Sequence, residues 1–345
     1  DGVSKVPAMV KAIAYGHDAI QVAKRLTNYD GEADAFGVAR IHEALALRDN
    51  NINSTIMLME GCFSEGDLIL ASEHQFEIVI HDQQQLEQLL RVKLPNPLKV
   101  WLKLNTGMNR LGFPIERVNE LMFELEKSNN VLAPITCLTH FSTADELDKS
   151  NTDLQLSLFE KHTKELNCKR STANSAGVIA HPNSHYDWVR PGLMLYGASP
   201  IENMSFEDHK LQPVMSLKSI VIAVNDVNKG NCVGYGARWC ADQDTKVAVI
   251  AMGYGDGYPR SAQDGTPVLI NGVEYPMVGC VSMDMLTVEV GKNSQVKVGD
   301  TVILWGADKI TGKTLAAERV AKHAGTVSYE MYCNIAARVQ KQFVD

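Results

Sequence analysis

Lys11 closes a short apolar run in AMVKAIAYGHDA, with a tyrosine, a glycine and a histidine just beyond it. A primary amine there is either a solvated strand end or a nucleophile held at the mouth of a barrel. Further strand ends carry polar chemistry: Lys103, His140, Asn174 with Ser175, and Arg190. Taken singly, each reads as a polar cap. Together they would bring amines, an imidazole, a guanidinium and a hydroxyl to one rim, with no carboxylate cluster to bind a metal. That set suits an anionic ligand bearing a carbonyl group, and no metal is expected.

The elements that would have to position these groups are legible as apolar runs. Strand candidates are VPAMVK (6–11), ADAFGV (33–38), TIMLME (55–60), FEIVIH (76–81), VWLKL (100–104), ITCLTHF (135–141), RSTAN (170–174) and YDWVR (186–190). Between most of them lie segments with apolar residues at three- and four-residue spacing, such as AIQVAKRL, EALALR, LEQLLRV and ERVNELMFELEK. Near-continuous apolar strands alternating with helices predict a parallel sheet covered on its outside. A doubly wound open sheet would read similarly, but the number of units favours an N-terminal (β/α)8 TIM-type barrel over residues 1–211. From 212 to 345 short strands separated by Gly, Asn and Asp turns (SLKSIVIAV, KVAVIAMG, TPVLING, YPMVG, MLTVEV, DTVILWG) predict a mostly β C-terminal domain, with a helix over KTLAAERVAKHA. The fold class is therefore α/β.

Composition narrows the partners. With 345 residues, 45% hydrophobic, the chain is long enough to bury its cores without metal or disulfide staples. A net charge of −8 and no Lys/Arg stripe argue against a nucleic-acid partner. No apolar run approaches the roughly 20 residues that span a bilayer. The cysteines, 7 in all and without CxxC spacing, predict neither a disulfide framework nor a zinc site, and fit a reducing cytoplasm. No signal peptide is visible, and because the chain starts at Asp1, close to its first strand, a preceding segment is expected to have been lost.

Two loops suggest the ligand. ANSAG (173–177) follows strand seven and RPGLMLYG (190–197) follows strand eight. Loops in these places form the usual phosphate site of a parallel barrel, using backbone N–H groups. A phosphate there, with an amine at the end of strand one, is the layout for pyridoxal 5'-phosphate, whose aldehyde condenses with amines and whose ring is an electron sink.

VKAIAYGH, KLNTGMNRLG, LTHFSTADE, ANSAG, DWVRPGLMLYGASP, VGYGAR, MGYGDGYPR, GCVSMDM and SYE occur in an order and spacing that cover nearly the whole chain. With them the sequence resembles the alanine racemases, pyridoxal-phosphate enzymes of fold type III. The resemblance implies interconversion of L- and D-alanine by two bases, for peptidoglycan or for catabolism, in a cytoplasmic homodimer. Lys11 would hold the cofactor and act as one base; desolvation and a nearby cation would lower its pKa. Tyr235, from the partner subunit, would be the second base, aided by a His140–Arg190 chain because a phenol near pKa about 10 is otherwise a weak proton acceptor at neutral pH. On the residues alone, without the other motifs, Tyr235 reads as a hairpin-turn aromatic between two glycines.

Arg190 would face the pyridine nitrogen, and a guanidinium does not readily give up a proton, which favours simple proton exchange over transamination. Tyr15, Ser175, the backbone of Gly192 and Leu193, and Tyr329 would hold the phosphate, with Asn174 beside them. For Tyr15 and Tyr329, core packing is the other reading. Arg110 would bind the substrate carboxylate and the cofactor's ring hydroxyl, helped by the Met283 backbone. His140 would also stand among the cofactor-binding residues, and Lys103 matches a position carbamylated in many relatives. Asp145, Tyr254 and Arg260 match residues lining the access channel, or are ordinary surface groups.

Ile13, Asp18, Asn105 and Cys280 depart from the family pattern, where asparagine, glycine, aspartate and arginine are usual. None removes a catalytic group, but Ile13 and Cys280 leave a broad-specificity amino-acid racemase as an alternative. A fold-type III decarboxylase would want a carboxylate in place of Arg190 and a catalytic cysteine. A non-catalytic cofactor-binding barrel would lack the second domain and Tyr235. Loss of the leading segment is expected to weaken the dimer.

Overall fold

The structure, a computed structural model, describes residues 4–28 and 33–344. Asp1, where the chain starts, lies outside them. It comprises two compact units: Asp1–Leu195 with Pro200–Met204, and Tyr196–Ser199 with Ser205–Asp345.

In the first unit Pro7–Met9 (β1), Ala35–Val38 (β2), Thr55–Leu58 (β3), Glu77–Ile80 (β4), Leu98–Asn105 (β5), Phe113–Pro114 (β6), Val131–Leu138 (β7) and Lys169–Ser171 (β8) form one sheet. Its neighbours are parallel and follow chain order, β6 being a short side pairing on β5. Helices cross between the strands, among them Ala19–Thr27, Ile41–Asp49, Glu65–Glu73, Gln83–Arg91, Val118–Glu126 and Ser150–Thr163. Several start where a short acceptor caps them: Ser64 Oγ accepts from Asp67 N and Asp82 Oδ1 from Gln85 N. Asp18 caps Ala19–Thr27 by accepting from Ile20 N and Gln21 N at 3.1 Å each.

The expected eighth strand, 186–190, forms no ladder. Trp188 makes single parallel bridges to Lys5 on one side and Ser171 on the other. Tyr186 has φ 40, and the N–H groups of Asp187 and Trp188 both donate to Arg170 O at 3.2 Å, which breaks regular alternation. The sheet still closes, because Lys5 N donates to Asp187 O (2.8 Å), Val189 N to Lys5 O (3.0 Å) and Met9 N to Pro191 O (3.1 Å). Inside it Ala35, Met57, Val79, Trp101 and Leu138, from five different strands, pack as one buried layer with Trp188 against Trp101. Side chains fill the barrel, so chemistry is confined to its ends.

The second unit is an antiparallel sheet of Leu217–Val227 (β9), Thr245–Ile250, Pro267–Ile270, Val273–Pro276, Leu286–Glu289 and Thr301–Ala307, with a separate hairpin of Cys232–Val233 and Trp239–Cys240. Trp305 stacks on Tyr258 and meets Tyr332 edge-on in its core. The helix expected over 313–324 begins later, at Ala317, because Thr314 and Leu315 pair with Ala307 and Gly306 instead.

The expectation that the cysteines form no disulfide is corrected here. Cys232 and Cys240 are bonded. They face each other in the antiparallel register of the hairpin, a relation that no linear spacing rule detects. Among the described residues no helix is long and apolar enough to cross a membrane.

Candidate active site

The chain leaves β1 at Val10 and does not enter a right-handed helix. Ala12, Ile13, Ala14 and Tyr15 have φ between 51 and 57, followed by Gly16 at φ 79, so one left-handed turn joins Lys11 to Tyr15. L-residues resist this conformation by roughly 1–2 kcal/mol each. Surrounding bonds hold it: Ala14 N donates to Val10 O, Asp18 N to Ile13 O, and Ala12 N to Glu43 Oε1 (2.7 Å). His17 Nδ1 lies 2.9 Å from Tyr15 O and 3.1 Å from Ala14 O, which makes that nitrogen the protonated one. The turn buries Tyr15 and carries its hydroxyl to Gly192, where an added Cβ would lie 2.4 Å from it. Gly192 therefore has to be glycine for Tyr15 to sit there.

Ser175 opens the helix Ser175–Ala180, and its Oγ accepts from Gly192 N (2.8 Å) and Met194 N (3.4 Å). Asn174 caps that helix through Gly177 N (2.9 Å). Leu193 is buried beside them. The structure thus brings Tyr15, Asn174, Ser175, Gly192 and Leu193 to one place, over the ends of β1 and β8.

Arg190 is 3% exposed, and its guanidinium donates to Ser171 Oγ, to Thr139 O (2.6 Å) and to Thr172 O (3.1 Å). Burial lowers its pKa to about 10, so it remains a cation at neutral pH. Lys103, 8% exposed on β5, is lowered to about 8 by burial and then by Arg190, Arg110 and Lys11, with Glu60 opposing. His140 is held well below its usual range by burial and by Arg190, Lys103, Arg110 and Lys11, and is neutral. These mutual effects make Lys11, Lys103, Arg110, His140 and Arg190 one electrostatic cluster at the strand ends. It holds an excess of positive charge, and a phosphate or carboxylate would relieve it.

The remaining expected residues are in other places. Asp145 is exposed on the first unit. Tyr235, Tyr254, Arg260, Met283 and Tyr329 belong to the second unit. Tyr235 is 74% exposed in the hairpin 232–240, and Met283 O accepts from Gly255 N at 2.8 Å.

Sequence reasoning missed three kinds of residue. Glu60 lies in the turn just after β3, at the end of the apolar run TIMLME, and carries the carboxylate that opposes the lowering of Lys103, so reading the ends of apolar runs could have found it. Ser171 and Thr139 orient Arg190, and Glu43 holds the turn after Lys11; only the three-dimensional pairing reveals these.

The alanine racemase N-terminal domain family matches residues 1–200, and the alanine racemase C-terminal domain family matches residues 214–343. An alanine racemase of Shewanella denitrificans is 46% identical over 336 residues, 97% of this chain and 91% of that protein. One of Aeromonas hydrophila is 47% identical over 340 residues, 99% of this chain and 92% of that protein. The biosynthetic alanine racemase of Pseudomonas aeruginosa superposes with a TM-score of 0.93 at 38% identity, covering 99% of this chain and 93% of that one. The enzyme of Acinetobacter baumannii does so with a TM-score of 0.87 at 39% identity, covering 97% and 91%. With both halves of the chain matched, and the relatives alike over nearly their full lengths, the chain belongs to the alanine racemase family.

Proposed function

We propose that this protein racemises alanine with pyridoxal 5'-phosphate bound at the barrel mouth, using Lys11 and Tyr235 as bases on opposite faces of Cα, with Tyr235 supplied by the partner subunit of a cytoplasmic homodimer. The observation that carries the reading is the gathering of Tyr15, Ser175 and Gly192 at the barrel mouth, together with a buried Arg190 and the cationic cluster of Lys11, Lys103 and Arg110 that keeps His140 neutral. Its donors fit a phosphate-bearing aldehyde: an amine at a strand end, a buried cation, and a Tyr15 hydroxyl accommodated only because Gly192 lacks a Cβ.

When bound, the cofactor supplies an electron sink that acidifies the substrate's Cα hydrogen. The chain's own groups do the rest. Arg190 stays charged and donates, and its fork is held by Ser171, Thr139 and Thr172. It offers a hydrogen bond without giving up its proton, which limits delocalisation and favours return of a proton to Cα. Lys11 takes or returns that proton on one face and Tyr235 on the other. His140, neutral, can pass polarisation from Arg190 towards Tyr235 without adding charge.

Tyr15, Ser175, Gly192, Leu193 and Tyr329 are assigned to the phosphate, with Asn174 fixing the helix that carries Ser175. Arg110 and the Met283 backbone are assigned to the substrate carboxylate. With its pKa near 8, Lys103 is partly an unprotonated amine at neutral pH, able to add carbon dioxide as a carbamate that would offset the surrounding positive charge and orient Arg110. Asp145, Tyr254 and Arg260 are assigned to the access channel.

A chiral assay of the purified protein on L-alanine, with and without added pyridoxal phosphate, tests this. Cofactor-dependent D-alanine is expected, and its absence would overturn the proposal.

A further inference from the structure

The segment carrying Tyr235 has little to hold it. Residues 234–238 join two strands of two residues each, paired as Cys232 with Cys240 and Val233 with Trp239, with Gly230 N donating to Ala241 O (2.7 Å) and Ala241 N to Asn231 O (3.0 Å) just outside them. So short a ladder is marginal in water. The turn also holds one unfavourable backbone position, Ala237 at φ 47, after Gly234 and Gly236 at φ 73 and 74, which take such values freely and restrict the chain little. Packing contributes almost nothing: a Cβ on Gly234 would find its nearest atom at 3.9 Å, on Gly236 at 3.8 Å, and Tyr235 itself is largely exposed. One internal bond, Ala237 N to Gly234 O at 3.4 Å, is long. Against this slack the Cys232–Cys240 disulfide closes the base of the hairpin at its outer pair.

We propose that Cys232 and Cys240 are positioning residues for Tyr235: their disulfide clamps the hairpin that carries the second base, and reduction slackens it and slows racemisation. The inference rests on the assignment of Tyr235 as that base. The bond acts by removing hairpin conformations in which the phenol is displaced, and small displacements of a catalytic group are costly to rate. Closing it takes one proton and one electron from each thiol and passes them to a disulfide oxidant, which leaves as two thiols. A dithiol reductant reverses the exchange and is itself oxidised to a disulfide. In a reducing compartment such a bond is more often responsive than structural, which gives the enzyme a means of reading the thiol–disulfide poise.

The test compares the oxidised holoenzyme, the same protein after dithiothreitol, and Cys232→Ser/Cys240→Ser, with free thiols counted by mass after alkylation of quenched samples. Reduced protein and variant should both lose kcat by about tenfold while KM changes by less than about twofold. Amide hydrogen exchange should quicken over 233–239 and stay unchanged in the barrel. Reoxidation should restore wild-type kcat and leave the variant low. The variant needs no reductant, so a loss shared by both cannot come from dithiothreitol acting on the cofactor. Full kcat in protein whose two thiols are shown to be free overturns the clamp, as does absence of the bond from oxidised protein. Tyr235→Phe, run in parallel, separates the two ideas: if it racemises normally the base assignment fails, and if it does not while reduced wild type does, only the clamp fails.

Discussion

Glu43 and Ala12 are joined by a 2.7 Å hydrogen bond from the Ala12 N–H to Oε1, and this contact sets where the chain turns after Lys11. The other oxygen, Oε2, accepts from Ala39 N (2.8 Å) and Arg40 N (2.9 Å). One carboxylate on the helix Ile41–Asp49 thus ties the end of β1 to the end of β2. Glu43→Ala should cost about 2 kcal/mol in denaturant unfolding, because three backbone donors lose a charged acceptor. Glu43→Gln, which keeps one acceptor oxygen, should cost less than half of that. Equal losses in the two variants would show that the contact does not carry the turn.

Ile13 is a β-branched residue at φ 57, with a side chain 62% exposed, so its conformation is unfavourable and its burial offsets little. Ile13→Asn should raise stability by about 1 kcal/mol, since asparagine tolerates the left-handed region. A rise in Tm is the expected readout. A fall would mean that Ile13 makes contacts that outweigh its backbone cost.

Gly192 and Tyr15 should behave as a coupled pair. A methyl at Gly192 would lie 2.4 Å from the Tyr15 hydroxyl and displace it. Gly192→Ala should weaken pyridoxal-phosphate retention by about tenfold, and adding Tyr15→Phe should cost less than the two losses combined. Equilibrium dialysis of cofactor from the two single variants and the double variant measures this. Strict additivity would contradict the shared contact.

Lys103 gives a pH signature of stability. Its pKa falls from 10.5 unfolded to about 8 folded, so below about pH 8 both states are protonated and the full burden of burying the charge is present. As pH rises from about 8 to 10.5 the unfolded chain holds more protons than the folded one, and stability rises. The shift corresponds to about 3 kcal/mol. In CO2-free buffer the gap in unfolding free energy between wild type and Lys103→Met should move in favour of wild type across this window. A pH-independent gap would contradict a depressed Lys103.

Legibility from sequence divided along physical lines. Parallel strands buried on both faces leave continuous apolar runs, so β1 to β5, β7 and β8 could be placed from them, and polar residues ending those runs marked the barrel mouth. The 186–190 run looked the same, yet Tyr186 and the shared acceptor Arg170 O keep it from pairing regularly. Ala-Ile-Ala-Tyr after Lys11 carries no glycine before Gly16, so nothing local announced a left-handed turn; Glu43, some thirty residues on, helps to impose it. The Cys232–Cys240 bond was hidden for a similar reason, since hairpin register decides which cysteines face each other.

The central claim is that each active site takes Lys11 from one subunit and Tyr235 from the other, and subunit mixing tests it most directly. Lys11→Ala and Tyr235→Phe homodimers should each fail to racemise alanine. Unfolded together and refolded with cofactor, they should recover about a quarter of wild-type activity, because half of the closed two-fold dimers are mixed and each mixed dimer assembles one complete site. No recovery on mixing, with mixed dimers demonstrated by mass, would contradict the account.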